Sequence, residues 1–278
     1  MINSKIVLCT DLDRTLLPNG EALEAGNART IFNKLVMRPE VVLVYVSGRD
    51  QALVRQAIQE YQLPSPHYVI ADVGASIYRL EHNDWHLISK WQALLAADWH
   101  GLSSQQLSQQ LINIGSLKLQ PQAHQSEFKL SYQLASEKNL PQAVADLTHE
   151  LKRLNINFNC ISSIDETKNI GLVDILPQVA NKYLAIQFLV DELGIEHKHI
   201  VFSGDSGNDM DVLISPFKAI LVGNATEEVR NHAQQQVINA GNENTLYCAH
   251  NNYAAGIVEG VLYYFPGFNS IVHKLSDS

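Results

Sequence analysis

Five short runs of this chain are apolar at almost every position: "KIVLCT", "VVLVYV", "YVIA", "HIVFSG" and "KAILVG". A strand that alternates apolar and polar residues can leave one face in water. A strand apolar throughout must be covered on both faces, which is the situation of a parallel sheet sandwiched between helices. The segments between the runs supply such helices: "EALEAGNARTIFNKLV", "RDQALVRQAIQEYQL", "NKYLAIQFLVDELG", "DMDVLI" and "TEEVRNHAQQ". The alternation therefore predicts an α/β fold class with a parallel sheet.

The alternation is interrupted. After "YVIA" the stretch "VGASIYRLEHNDWHLI" reads as a hairpin turning near Asn83–Asp84. From about Trp91 to Pro177 come a polar helix near Ser103–Asn113, "SLKLQP", "FKLSYQL", the helix "LPQAVADLTHELKRL", "FNCIS" and "GLVDIL". This order, αββαββ, suits a small α+β unit whose sheet leaves one face open. The organisation expected is a core over 1–88, an inserted module over 89–177, and the core again over 178–278. The residues beyond Phe265 are expected to be a surface extension.

Composition narrows the partners. With 20 basic and 29 acidic residues the formal charge is -9, which argues against nucleic acid and against anionic membranes. No run approaches the roughly 20 apolar residues of a membrane span, and the N-terminal run meets Asp11 too soon for a signal peptide. The three cysteines, Cys9, Cys160 and Cys248, are odd in number and far apart. They suggest reduced, buried thiols and a cytoplasmic protein.

In parallel α/β sheets ligands bind beyond the carboxyl ends of the strands. Asp11 and Asp13 follow the first run, Ser47-Gly48-Arg49 follow "VVLVYV", and "GDSGND" (Gly204 to Asp209) follows "HIVFS". Lys182 opens a helix where the chain re-enters the core. Each has a bland explanation: an aspartate capping a turn, Ser47 as a helix N-cap, a solvated lysine, loop residues tolerant of positive φ. Four clusters able to converge on one cleft outweigh those readings.

"DLDRTL", "VSGR", the helix lysine and "GDSGND" resemble, in order, the four motifs of the haloacid dehalogenase (HAD) superfamily of phosphatases. The resemblance implies a Rossmann-like core with an inserted αββαββ cap and Mg²⁺ as cofactor. It implies that Asp11 is the nucleophile, forming an aspartyl-phosphate, and that Asp13 is the acid and base. Mg²⁺ would be held by Asp11, the carbonyl of Asp13 and Asp205, with Asn208 and Asp209 behind them orienting water and Lys182. Ser47, Gly48, the backbone after Leu12, and Lys182 would bind phosphate. Thr15 would order the loop or bind Asp209, and Arg14 receives no role.

A cap placed between the second and third motifs covers the site and selects the leaving group. "VGASIY", "FKLSY", "VDILP" with "NKYLAIQFL", "GDSGNDMDVL" and "YAAGIVEGVLYYF" are most similar to the sucrose-phosphate phosphatases within the superfamily. The resemblance implies Mg²⁺-dependent hydrolysis of a sugar phosphate, with sucrose 6-phosphate first. Mannosylfructose, glucosylglycerol, trehalose and mannosylglycerate phosphates are the alternatives, and association with a sugar-phosphate synthase is compatible with it. Lys129 and Asp174 in the cap are candidate sugar contacts; the competing reading puts both on an exposed sheet face. Trp85, Trp91 and Trp99 read as core or hinge packing before sugar stacking. A non-catalytic sugar-phosphate-binding partner is the second class, and retention of all five charged motif residues weighs against it.

Overall fold

The computed structural model describes residues 5–269 apart from 83, 112–113, 115–116, 136 and 166–168. The chain opens with β1 (Ile6–Thr10), α1 (Ala28–Val36), β2 (Val41–Val46), α2 (Gln51–Glu60), β3 (Tyr68–Ala71), β4 (Ser76–Glu81) and β5 (Asp84–Leu87). A second module follows with α3 (Ser89–Asp98), α4 (Ser104–Gln110), β6 (Lys118–Leu119), β7 (Leu130–Leu134), α5 (Leu140–Arg153), β8 (Phe158–Asp165) and β9 (Ile170–Pro177). The first fold then resumes as α6 (Lys182–Glu192), β10 (Ile200–Gly204), α7 (Met210–Leu213), β11 (Lys218–Leu221), α8 (Glu227–Asn239), β12 (Leu246–Cys248) and α9 (Tyr253–Tyr264).

The core sheet has eight strands in the order β12-β11-β10-β1-β2-β3-β4-β5. It is parallel from β12 to β3, and β4 and β5 add an antiparallel edge. All of β1 and β2 is buried, as continuous apolar runs require. Val7 and Cys9 enter one hydrophobic cluster with Ile186 and Leu189 of α6, while Ile6 and Leu8 enter a second with Phe32 of α1 and Ile257 of α9. The strand order reverses at β1, whose neighbours are β2 on one side and β10 on the other. That is the place where a doubly wound sheet opens a crevice.

The second module holds a four-stranded antiparallel sheet, β6-β7-β9-β8. Helix α5 covers it with Leu140, Ala143, Leu147 and Leu151, the spacing of one helical stripe. In β9, Gly171, Val173 and Ile175 are buried and Leu172 and Asp174 less so, in strict alternation. The opposite face is open as expected at Ser163 of β8, and is covered only around Ser131. Ser131 is buried there, its hydroxyl bonded to Asp174 and to the carbonyl of His124. Gln125 also folds back onto the backbone of Ser131.

The structure corrects several other expectations. Residues of "EALEAGN" are not helical: Leu23 is 87% exposed with nothing to pack on, and α1 starts only at Ala28. Helix α3 and strand β12 were not expected. Helix α3 carries Trp91 against Phe188 at 5.1 Å and, at its end, Trp99 against Phe128 at 6.0 Å. Both indoles are buried and carry one apolar cluster from the core into the second module. Beyond Phe265, Phe268 is buried in the core rather than lying on the surface. Asn83, Asn113 and the tail from 270 fall outside the described residues.

One turn of the core packs closely against the start of α6. Gly74, after β3, has φ +103°, and a Cβ there would lie 2.5 Å from the carbonyl oxygen of Asn181, just before α6. Substituting alanine adds a left-handed strain of about 1–2 kcal/mol to a backbone collision. Gly74→Ala is expected to lower the melting temperature by several degrees and the activity with it. An unchanged melting curve would mean that the contact with α6 is dispensable.

Candidate active site

Parallel pairing of β1 with β10 in register, Thr10 opposite Ser203, brings the residues just beyond each strand together. The amide of Asp11 donates to the carbonyl of Ser203 at 2.9 Å. Asp11 and Asp205 therefore emerge side by side although they lie far apart in the sequence. Leu12 then reverses the backbone, its carbonyl accepting from Thr15, Leu16 and Leu17. Helix α6, capped by the side chain of Asn181, delivers Lys182 into the same place.

Lys182 is fully enclosed. Its ammonium donates to Asp11 Oδ1 at 2.9 Å, to Asp209 Oδ1 at 2.6 Å and to Asn208 Oδ1 at 3.4 Å. Burial alone would lower its pKa, but the two carboxylates raise it, so the amine stays charged. The other oxygen of Asp209 accepts from the amides of Asp205 and Ser206. This is possible because Gly204 has no side chain; a Cβ there would sit 2.6 Å from that oxygen. Asp209 thus has both oxygens committed to protein donors.

Thr15 donates to Asp205 Oδ1 at 3.1 Å and, more weakly, to Asp11 Oδ2 at 3.5 Å. Its partner is Asp205 rather than Asp209, a correction that follows from the tight turn at Leu12. Arg14, left without a role by the sequence, stands at φ +58° with its Nε 3.3 Å from Asp205 Oδ2. Asp205 Oδ2 is buried and accepts no hydrogen bond.

Asp11, Asp205 and Asp209 offer oxygens within 4.8 Å of one another. Burial, with the neighbouring Asp209, pushes Asp11 up to about 8 against the pull of Lys182. Burial and Asp209 push Asp205 up to about 6, opposed by Arg14 and Thr15. Three buried acids around one buried ammonium, with Asp205 Oδ2 ion-paired to Arg14 but accepting no hydrogen bond, form a site that fits an oxygen-seeking divalent cation. Asp11 and Asp205 are the side chains free to hold it.

Asp13 points elsewhere. Its side chain is 40% exposed and is gripped by Arg49, Nε to Oδ2 at 2.8 Å and Nη2 to Oδ1 at 2.7 Å, with Asn19 donating at 2.6 Å. Burial works the other way, but these donors hold its pKa below the ordinary carboxylate value. The sequence offers Arg49 only as part of a motif, and its bidentate grip on Asp13 depends on a contact the sequence does not disclose. Ser47 is buried, and its hydroxyl accepts from the Arg49 amide at 3.2 Å. The N-cap of α2 is Asp50, so capping does not explain Ser47.

A cavity of about 410 Å³ is lined by Asp11, Asp13, Gly48, Arg49, Asp205 and Asn208, among others. Lys129 and Asp174 form a separate cluster. Lys129 is buried, not on an exposed face, with its Nζ 3.5 Å from Asp72 Oδ1 and 3.9 Å from Asp174 Oδ2. Trp85 lies under Arg55 at 4.4 Å, so all three tryptophans have packing partners.

A Rossmann-like core carrying these four motifs, interrupted by an α+β module, defines a hydrolase of the HAD class. The sucrose-6F-phosphate phosphohydrolase family model matches residues 4–265. The chain belongs to that family, which is one of phosphoric monoester hydrolases. It is 42% identical over 95% of its length to a protein of Nitrosococcus oceani described only as a HAD-like hydrolase, covering 73% of that protein. It is 28% identical over 98% of its length to probable sucrose-phosphatase 2 of Arabidopsis thaliana, spanning 63% of that longer protein. The structure superposes on the sucrose-phosphatase of Synechocystis sp. PCC6803, solved with sucrose and phosphate. The TM-score is 0.73 at 26% identity, with 94% of this chain and 98% of the other covered. Among the described residues no helix is long and apolar enough to cross a membrane.

Raised carboxylate pKa values carry a linkage. The folded protein holds these protons more tightly than the unfolded chain, so its metal-free stability falls as pH rises from about 4 to about 8. A cation held here would have to displace the protons, so a Mg²⁺-induced rise in melting temperature is expected to be larger at pH 8 than at pH 6. In Asp205→Asn the metal-free protein should melt higher than the parent and gain little from Mg²⁺. A gain that is independent of pH, or intact in Asp205→Asn, would place the cation elsewhere.

Proposed function

We propose that the chain is a Mg²⁺-dependent sugar-phosphate phosphatase acting through an aspartyl-phosphate, with sucrose 6-phosphate its foremost substrate. The observation that carries this reading is the buried Asp11–Lys182–Asp209 cluster, with the buried Asp205 carboxylate beside it, in a chain of this family.

Asp11, Asp205 and the backbone carbonyl of Asp13 would hold Mg²⁺, with Asn208 and Asp209 behind them. Bound there, the ion would neutralise phosphoryl oxygens. Lys182 fixes one oxygen of Asp11 and leaves Oδ2, met only weakly by Thr15, to attack phosphorus. As the Asp11–phosphorus bond forms, the bond from phosphorus to the sugar oxygen breaks, and Asp13 in its protonated form gives that oxygen its proton. Water then attacks the acyl phosphate while Asp13 takes the proton, releasing phosphate and restoring Asp11. The Arg49 grip favours the ionised Asp13, the form needed for the second step; for the first, the carboxyl must leave the fork. Ser47, Gly48 and the backbone after Leu12 supply phosphate contacts, and Lys182 adds positive charge as it transfers.

The inserted module acts as the cap that reads the sugar and excludes water. Lys129 and Asp174 are its reading residues, because Lys129 reaches from the cap to the core. The region 89–177 is the unit assigned to this role, with 1–88 and 178–278 the catalytic core. Association with a sugar-phosphate synthase would be compatible with this reading.

The decisive assay is phosphate release with Mg²⁺ from a panel including sucrose, mannosylfructose, glucosylglycerol and trehalose phosphates. Preference for sucrose 6-phosphate by at least about tenfold in kcat/KM, or about 1.4 kcal/mol, is expected. Another sugar leading would keep the chemistry and replace the substrate. Binding without release would support a non-catalytic sugar-phosphate-binding partner. Asp11→Asn should lower turnover by at least about a thousandfold with the melting temperature preserved; near-parental turnover would remove Asp11 as nucleophile. Removing the Arg49 guanidinium lets the Asp13 pKa rise. In Arg49→Met the acid limb of the kcat profile should therefore move to higher pH, and an unmoved limb would separate Asp13 from the base.

A further inference from the structure

Between the phosphate-binding loop and the cap lies a turn under backbone strain. Asp72, Val73 and Gly74 follow one another at φ +53°, +57° and +103°. A β-branched residue in the left-handed region is disfavoured by sterics, and such strain persists only where the surroundings over-determine it. Here they do. The amide of Asp72 donates to the Arg49 carbonyl at 2.9 Å and that of Val73 to the Ser47 carbonyl at 3.1 Å. The Trp91 indole of the cap's first helix donates to the Gly74 carbonyl at 2.8 Å. The turn is thus fastened to the loop carrying Ser47, to the entry of α6 and to the cap.

The Asp72 side chain extends this network across the cleft. It is 2% exposed; Oδ2 accepts from Ser76 at 3.2 Å, and Oδ1 faces Lys129 Nζ at 3.5 Å. On its other side Lys129, 7% exposed, has Asp174 at 3.9 Å, itself fixed by the Ser131 hydroxyl at 2.6 Å. Both carboxylates lie at long range, so the enclosed ammonium is oriented by Asp72 without a tight hydrogen bond consuming it. A buried pair of this kind adds little net stability and instead fixes where its members stand.

We propose that Asp72 is a positioning residue for sugar specificity: its carboxylate sets the Lys129 ammonium at a fixed place relative to the phosphate-binding loop. The distance between the phosphate contacts and the sugar-reading amine is then built into one core side chain. This rests on the reading above that Lys129 contacts the sugar.

The test uses Asp72→Asn, Lys129→Met and the double variant of the whole chain. Asparagine tolerates the left-handed conformation and can still accept from Ser76, so the backbone bonds to Ser47 and Arg49 remain and only the charge is lost. With sucrose 6-phosphate, Asp72→Asn should raise KM about tenfold with kcat falling less. The loss on 4-nitrophenyl phosphate should be at least about threefold smaller. Acting through Lys129, it should cause no further loss in the Lys129→Met background. Equal losses on both substrates, multiplicative losses in the double variant, or an unchanged KM would overturn the proposal. Should the parent release no phosphate from either compound, the functional reading fails, and amide hydrogen exchange decides the pairing. Exchange over 126–134 should quicken about equally in both single variants and no further in the double; unchanged or additive rates reject it. Asp72→Ser replaces Asp72→Asn in both arms if the latter melts at assay temperature.

Discussion

The Lys182 ammonium is the charge on which the rest of the site depends. It is enclosed by protein and shared between Asp11 and Asp209, and without it two carboxylates would be buried together with no nearby counter-charge. Removing one partner from such a group is far more costly than never burying it. The fold's first task is to bring these groups into one place. Parallel pairing of β1 and β10 sets Asp11 beside Asp205, α6 brings Lys182, and the absent side chain at Gly204 lets Asp209 close the ring. Once Asp11 and Asp205 ionise, three carboxylates face two cations, Lys182 and Arg14. That deficit makes a divalent cation a natural completion of the site.

The same physics separates the two aspartates at the end of β1. With only Leu12 between them in a tight turn, they point into different surroundings. Asp11 is enclosed among acids and held up to about 8. Asp13 looks out to Arg49 and Asn19 and is held low. Environment, not residue type, divides a buried carboxyl that holds its proton from a solvent-facing one that gives it up.

Much of the core was legible because its strands are apolar throughout and end on polar clusters. Asp11, Ser47 and Asp205 stand where the runs stop, and that reading needs only the period of the chain. What stayed hidden depends on loop conformation. Arg14 reaches Asp205 because its backbone is left-handed, and nothing in "DLDRTL" fixes that. Arg49 grips Asp13 across the crevice. Asp72 meets Lys129 from another module, a contact invisible to any local pattern. "EALEAG" has helical spacing but no surface to bury against, and β12 is too short to signal itself. The alternation of β7 suggested an open sheet face, which holds at Ser163; the loop at 122–125 that covers Ser131 has no periodicity to announce it.

The central claim is that Asp11 takes up the phosphoryl group. The most direct measurement is acid-quench mass spectrometry of the protein mixed with Mg²⁺ and sucrose 6-phosphate during the first turnover. One phosphoryl group on the peptide containing Asp11, absent from Asp11→Asn, is the predicted result. Phosphate release with no labelled peptide, or a label on another residue, would contradict the account.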